Sequence, residues 1–343
     1  DPEGEYLRQA AYAAVLCYNN YYEQQHAEGD RELASGRDAG EGEGQDLERL
    51  GRRELTPLEE GMVGAYRRYI CHVSESEDLV AIKYRLARVH YVANHFEEAA
   101  TLFRDIAYNH SDHELATYAA NLYLDCLNAI YQLDEDRRSA CRNELAGAVE
   151  HFLDDPHVAR EAGARGSLVA LQCGILWQRA QDLTASGEFF RSAELFRRIY
   201  EDYREECATI GEHDMCEVLF NIGINYDADR RIGPAIRFRQ VLFRECGDDG
   251  ELAGDGGVAS PWAKRAVYQI GGNYHAIAAY TKAAQYYEDY AQRYAGEDEA
   301  PDALRDATVF RLGLGQDDRA LENAQLFERS YGRRPSFKAR AAT

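Results

Sequence analysis

One spacing constrains this chain more than any other feature. Small residues recur in pairs twelve positions apart, at Ala87 and Ala99, Ala180 and Ser192, Gly223 and Ala235, and Gly271 and Ala283. Large apolar residues stand three and four positions away, as Tyr91, Phe96 and Phe103 do around the first pair, with Ile106 one turn further on. Two antiparallel helices approach within about 8 to 10 Å only where the side chains at their crossing are small. A short polar turn between the members of a pair, such as Asn94-His95, therefore predicts a helix hairpin, and its return along the chain predicts a stack of hairpins.

Composition agrees with an all-α reading. Seven prolines and 24 tyrosines in 343 residues suit long helices, and no stretch shows the period-2 alternation of a strand bounded by turn signals. The repeated units occupy 83–111, 177–203, 220–243, 268–294 and 304–331, the last carrying the weakest pattern, at Gly315, Ala320, Ala324 and Phe327. Further helices are expected over 5–25, 58–72, 114–132, 139–153 and 157–185.

These small and aromatic positions resemble the tetratricopeptide repeat (TPR) family, whose unit is about 34 residues long. The resemblance covers 80–332, with one degenerate unit inside. Arg239 and Ala324 depart from it by standing where the late aromatic of the second helix belongs, and Asp317 stands where the aromatic opening that helix belongs. The phrases KYRLARVHYVANHFEEAATLFRDIA and ELATYAANLYLDCLNAI are similar to large TPR proteins of the bacterial cell envelope, of the kind found in myxobacteria, some linked to gliding motility. The resemblance implies an α-solenoid of antiparallel hairpins, a TPR-like superhelix. Its expected parts are an N-terminal hairpin over 1–79 with a mobile acidic, Gly-rich insertion at 27–54, and repeats at 80–113, 114–164 (degenerate), 165–215 (with an extended first helix), 216–263 (with a Gly-rich insertion at 247–260), 264–300 and 301–334. A tail at 335–343 completes the chain.

Sixty acidic against 39 basic residues give a formal charge of -21, which repels nucleic acid and anionic membrane at long range. No run of about 20 apolar residues marks a membrane span, so direct membrane insertion is not expected. The acidic start, Asp1 to Glu5, is not that of a retained signal peptide.

Eight cysteines lack the C-x-x-C spacing of structural zinc, iron-sulfur or haem sites. Cys126 and Cys141 lie equally far from the turn near Leu133-Asp134, and Cys207 and Cys216 bracket Gly211. These are the two candidate disulfides, and bonds there would place the chain in an oxidising compartment: periplasm, cell envelope or outside the cell. The alternative is buried thiols, which leaves a cytoplasmic location open. His110 with His113, and His90 with His95, read as solvated turn residues rather than metal ligands, although Asp112 and Glu114 lie nearby. GEGEG and GDGG lack the strand and the Lys-Ser/Thr of a phosphate loop. No motif selects a Cys/His nucleophile, so no catalytic residue, metal or cofactor is expected.

What remains is the groove that first helices line in a TPR superhelix. Its register predicts Tyr84, Arg88 and Tyr91 in one unit, Trp177 and Gln181 in the next, then Phe220, Ile224 and Asp227, then Tyr268 and His275, and finally Arg305. Aromatics with scattered arginines are the currency of protein-binding hot spots. The competing reading is that Trp177, Phe220 and Tyr268 merely stack between repeats. The expected function is a non-catalytic scaffold that holds a multiprotein assembly through its concave groove, with proteins, peptides, further repeats or copies of itself as partners. Two other classes stand beside it. One is a subunit that polymerises end to end, since neither end shows a polar capping helix; the other is an enzyme or cofactor protein using the cysteines and histidines.

Overall fold

A computed structural model describes residues 6–25, 47–134, 136, 138–160, 162–210, 214–254 and 256–332. The chain divides into two compact units, Asp1–Gln172 and Cys173–Thr343. Among the described residues there are fifteen α-helices, and the only β pairing is an isolated bridge between Gly254 and Val258. The architecture is all-α and TPR-like.

In the first unit α1 (Leu7–Gln25) packs on α2 (Pro57–His72), followed by the hairpins α3 (Leu79–Val92) with α4 (Phe96–Asn109) and α5 (Ala116–Leu133) with α6 (Arg138–Asp154). Helix α7 (Ala162–Ala185) carries the unit boundary within it. The second unit continues with α8 (Phe189–Asp202), a short α9 (Arg204–Ile210), α10 (Met215–Ala228) with α11 (Ile232–Cys246), α12 (Pro261–Ala276) with α13 (Tyr280–Arg293), and α14 (Ala300–Gly313) with α15 (Asp317–Tyr331). Helix α7 begins at Ala162 rather than 157, and the separate α9 has no counterpart in the sequence reading. The expected tail at 335–343 lies outside the described residues.

Polar side chains start several helices. Thr56 caps α2 in a reciprocal box with Glu59, ahead of Pro57, and Ser260 caps α12 ahead of Pro261. Five hairpins then close through one turn. Asn94, Gly187, Arg230, Ala278 and Gly315 all take positive φ, from 58 to 81°. The N–H of each donates to the carbonyl three residues back, and the next N–H donates to the carbonyl five residues before it, as His95 does to His90 and Gln316 to Arg311. The last carbonyls of each first helix are thereby satisfied.

The twelve-residue pairs sit at the crossings. Ala87, Ala99, Ala180, Ser192, Ala235 and Ala283 are all 0% exposed. Ser192 Oγ donates 2.8 Å to the carbonyl of Ala180, its partner in the spacing. A Cβ on Gly271 would come within 2.6 Å of the Tyr287 ring, and one on Gly223 within 3.0 Å of Arg239 Cγ, so both glycines make room for a second-helix side chain.

Three expectations change. Of the insertion at 27–54, residues 27–46 lie outside the described residues, but from Leu47 the chain is anchored. Asn94 Nδ2 donates to the carbonyls of Arg49 and Gly51, Arg53 N donates 3.0 Å to the Ala93 carbonyl, and Leu50 is 2% exposed. This docking covers His95, which is 8% exposed and whose Nε2 lies 2.7 Å from the Arg53 carbonyl, and His90 is 3% exposed, so neither histidine is solvated.

The Gly-rich insertion at 247–260 folds back as well, with Leu252 N donating to Glu245 O and Ser260 N to Cys246 O.

The disulfides join Cys173 to Cys207 and Cys216 to Cys246, with Cα atoms 5.9 and 6.0 Å apart. The predicted Cys207–Cys216 pair does not form, because each of the two bonds elsewhere; Cys126 and Cys141 are buried and take part in neither of these bonds. Equal distance from a turn sets the height of a residue along a hairpin, but side chains rotate about 100° per residue and height alone does not make two of them meet.

Candidate partner-binding face

In the first unit most of the predicted groove is consumed by packing. Tyr84 meets Phe103 edge-on at 5.6 Å. Arg88 is 4% exposed with its guanidinium 5.5 Å from the Tyr91 ring centre. Tyr91 is buried and its hydroxyl donates to the Asp125 carboxylate on α5. Arg88 and Tyr91 therefore hold hairpins together and do not offer themselves to a partner. That corrects the register-based reading for this unit.

The second unit divides the predicted set. Trp177 is half-buried edge-on against Phe196 at 5.2 Å, and Tyr268 leans on Tyr287 and Tyr290 at 5.4 and 5.3 Å, so each packs on the second helix of its own hairpin. Phe220 is buried, 4.8 Å from Trp262 of the following hairpin. Phe220 thus follows the stacking alternative, and Tyr268 packs both on its own crossing and on the cluster that holds Ala303, Leu304 and Ala307 of the next hairpin. Gln181 is half-buried. Arg305 is exposed and bonded to Asp302 and Asp306 on its own helix.

Ile224 and Asp227 do reach an open cleft, whose other walls are Ala228, Arg230, Arg239 and Gln269. Arg239 is 2% exposed, and each of its nitrogens is used. Nε donates to Gln269 Oε1 at 3.0 Å, one terminal nitrogen to Asn273 Oδ1, and the other to Asp227 Oδ2 at 3.1 Å. Asn273 Nδ2 closes the ring with a 2.7 Å bond to Asp227 Oδ1. Burial lowers the Arg239 guanidinium from its ordinary value, and the Asp227 charge opposes that. Such a buried ion is tolerated only when its donors are satisfied. Here the hydrogen bonds fix the floor of the cleft.

Toward the end of α12 the face turns aromatic. His275 is exposed, 4.7 Å from Phe310, and Tyr280, 41% exposed, lies 5.3 Å from the same ring. Arg230, Gln269 and Phe310 belong to this face and were missed by the register. Arg239 left a signal, since it stands in an aromatic slot; a charge in that slot must find acceptors on the next first helix.

No group of three His, Cys, Asp or Glu side chains is placed to hold a metal among the described residues. His113 Nδ1 instead accepts the N–H of Leu115. No described helix is long and apolar enough to cross a membrane.

No family model matches the sequence, and no curated protein does. Among solved structures, the apo form of RapI is similar at 14% identity and a TM-score of 0.34, over 94% of this chain and 85% of that one. A signal transduction ATPase of the STAND class with a tetratricopeptide repeat sensor, from Pyrococcus horikoshii, is similar at 15% identity and a TM-score of 0.28, over 79% of this chain and 38% of its own length. At such scores neither likeness transfers a residue or a role.

Proposed function

We propose that this chain is a non-catalytic protein-binding repeat whose partner docks on the first-helix face of residues 173–343. The observation that carries the reading is the cleft at Ile224, Asp227, Arg230 and Gln269. Its floor is a closed Arg239–Asp227–Asn273–Gln269 network, so the site is organised before a partner arrives and ordering costs are small. Asp227 accepts from both Arg239 and Asn273, which commits its two oxygens to structure rather than to acid–base work. The exposed His275–Tyr280–Phe310 cluster supplies the aromatic surface that hot spots favour. Two disulfides support an oxidising compartment and, with the sequence resemblance, a scaffold in the bacterial envelope.

A second reading, in which copies pack end to end, is favoured by Val309, Leu312 and Leu321 of the last described hairpin, exposed at 57, 56 and 59%. One experiment separates the two. A photo-crosslinking residue is placed at Ile224, at Leu321, or at the exposed Arg237 on α11, and the chain is irradiated in its source cells. A discrete heterologous adduct from Ile224 that Arg230→Glu abolishes supports the docking face. Self-adducts from Leu321 alone support the second reading, and an Ile224 pattern matching that of Arg237 sinks the first.

A further inference from the structure

The hairpin α3–α4 contains a polar group that its own packing leaves unused. His90 is 3% exposed, and neither of its ring nitrogens has a hydrogen-bond partner. Its ring stacks on His95 with centroids 5.8 Å apart, which satisfies no nitrogen. Leaving a buried donor and acceptor unmade costs roughly 1 to 3 kcal/mol, and folded proteins keep few such groups. Burial, reinforced by the nearby Arg67 charge, pushes the imidazole down to about 4. At neutral pH it is therefore an uncharged ring with one N–H and one bare nitrogen.

His90 lines a cleft between α2 and α4. Ile70, Leu86 and Leu102 make its walls apolar, with Arg67 and Cys71 contributed by α2 and Glu98 by α4. The two charges differ in their commitments. Glu98 Oε1 is bonded to Arg52 at 2.6 Å while its Oε2 is buried without a hydrogen-bond partner, whereas Arg67 is exposed and enters no ion pair or hydrogen bond with the described residues. The cleft thus combines an apolar slot, an unmatched guanidinium, an unmatched N–H and, on the α4 side, one unmatched carboxylate oxygen of Glu98. A cation would meet Arg67, and a strongly hydrated dianion would lose its water to aliphatic walls.

We propose that this cleft is a binding site for a small apolar carboxylate, its hydrocarbon between Ile70, Leu86 and Leu102 and its anionic head taken by Arg67 and the His90 N–H. This site is independent of the docking face on the second unit.

Cys71 provides the readout, because it is an exposed thiol among the lining residues. In a Cys17→Ser background, alkylation of Cys71 without reductant is timed with and without 4-methylpentanoate. Protection of about tenfold is expected when the ligand is about ten times its Kd. The neutral 4-methylpentanamide should protect little. Arg67→Gln, at an exposed position, and His90→Phe, which keeps a ring in place, should each remove most of the protection while circular dichroism melts confirm folding. Equal protection by acid and amide, no protection at tens of millimolar, or protection unchanged in Arg67→Gln would overturn the site. A peptide with a free C-terminal Leu, set against its amidated form, distinguishes a chain terminus from a free acid as the source of the carboxylate.

Discussion

Between α3 and α4 the crossing is closed by Phe103, 0% exposed, whereas between α10 and α11 the same slot, four residues after the small residue of the second helix, holds Arg239, 2% exposed. A ring there needs only apolar neighbours; a guanidinium needs a full set of acceptors, and α10 and α12 supply them through Asp227, Gln269 and Asn273. The second unit repeats the device where Arg311 grips both oxygens of Glu288 at 2.8 and 2.7 Å, with Asn323 and Gln316 completing the set. It also holds the Cys173–Cys207 and Cys216–Cys246 disulfides. Both units use tyrosine hydroxyls as clasps, Tyr123 to Glu144 at 2.6 Å in one and Tyr200 to Glu245 at 2.7 Å in the other. The contrast teaches that one hairpin geometry accepts either an oily or an ionic crossing. The ionic one demands orientation, and it is the one that borders the open cleft.

Removing the covalent bonds should separate the units most. Closing loops of 34 and 30 residues is worth about 3 to 4 kcal/mol each by chain entropy. Cys173→Ser with Cys216→Ser should lower amide protection throughout 173–343 and leave 57–154 unchanged, as read by hydrogen exchange. Equal losses in both units would erase the distinction. Next, Arg239→Ala leaves Asp227 and Asn273 without their cation and should cost about 3 to 5 kcal/mol in a urea melt. A cost below about 1 kcal/mol would mean the network is not the floor it is taken for.

Acid should act on the first unit through His90, whose neighbours in charge are Arg67, Glu98, His95 and Arg52. The unfolded ring takes its proton near 6.5, while the folded one refuses it until about 4. Stability from this source is therefore complete above pH 6.5 and lost as pH falls toward 4, on the order of 3 kcal/mol. His90→Phe should flatten the pH dependence across that window, leaving the later loss from Glu59, held down to about 2 by Arg53, between 4.5 and 2. Smallest and shared by both units is overpacking. Ala99→Leu and Ala283→Leu should each cost about 1 to 3 kcal/mol, and wild-type melting midpoints in both would dissolve the common crossing.

The hairpins were legible because their signals are local. Small residues twelve apart and a turn between them specify a crossing without reference to anything distant. The anchoring of residues 47–54 on the turn at Asn94 was not legible, since it depends on bonds such as Asn94 to Arg49 that span 45 positions and leave no periodic trace. That contact also buries His95, and the turn histidines therefore read as solvated when they are not. The groove register placed Ile224 and Asp227 on a cleft, but it could not tell Phe220, covered by Trp262, from a side chain open to a partner. The cysteines were nearly legible. Cys216 and Cys246 lie symmetrically about Arg231 in the α10–α11 turn, so the symmetry argument had merit, and at Cys207 and Cys216 it was applied to the wrong turn.

The connectivity of the two disulfides also sets an order of events. Neither bond encloses a cysteine of the other, so a chain made from its N-terminus can complete Cys173–Cys207 without waiting for Cys246. The hazard on that route is Cys207 with Cys216, neighbours in sequence whose short loop closes most readily. Hairpin helices form in microseconds, whereas thiols oxidise over seconds or longer. Secondary structure therefore carries Cys207 to α7 and holds Cys216 on α10 before an oxidant reaches either sulfur, and the trap is avoided by timing rather than by later reshuffling.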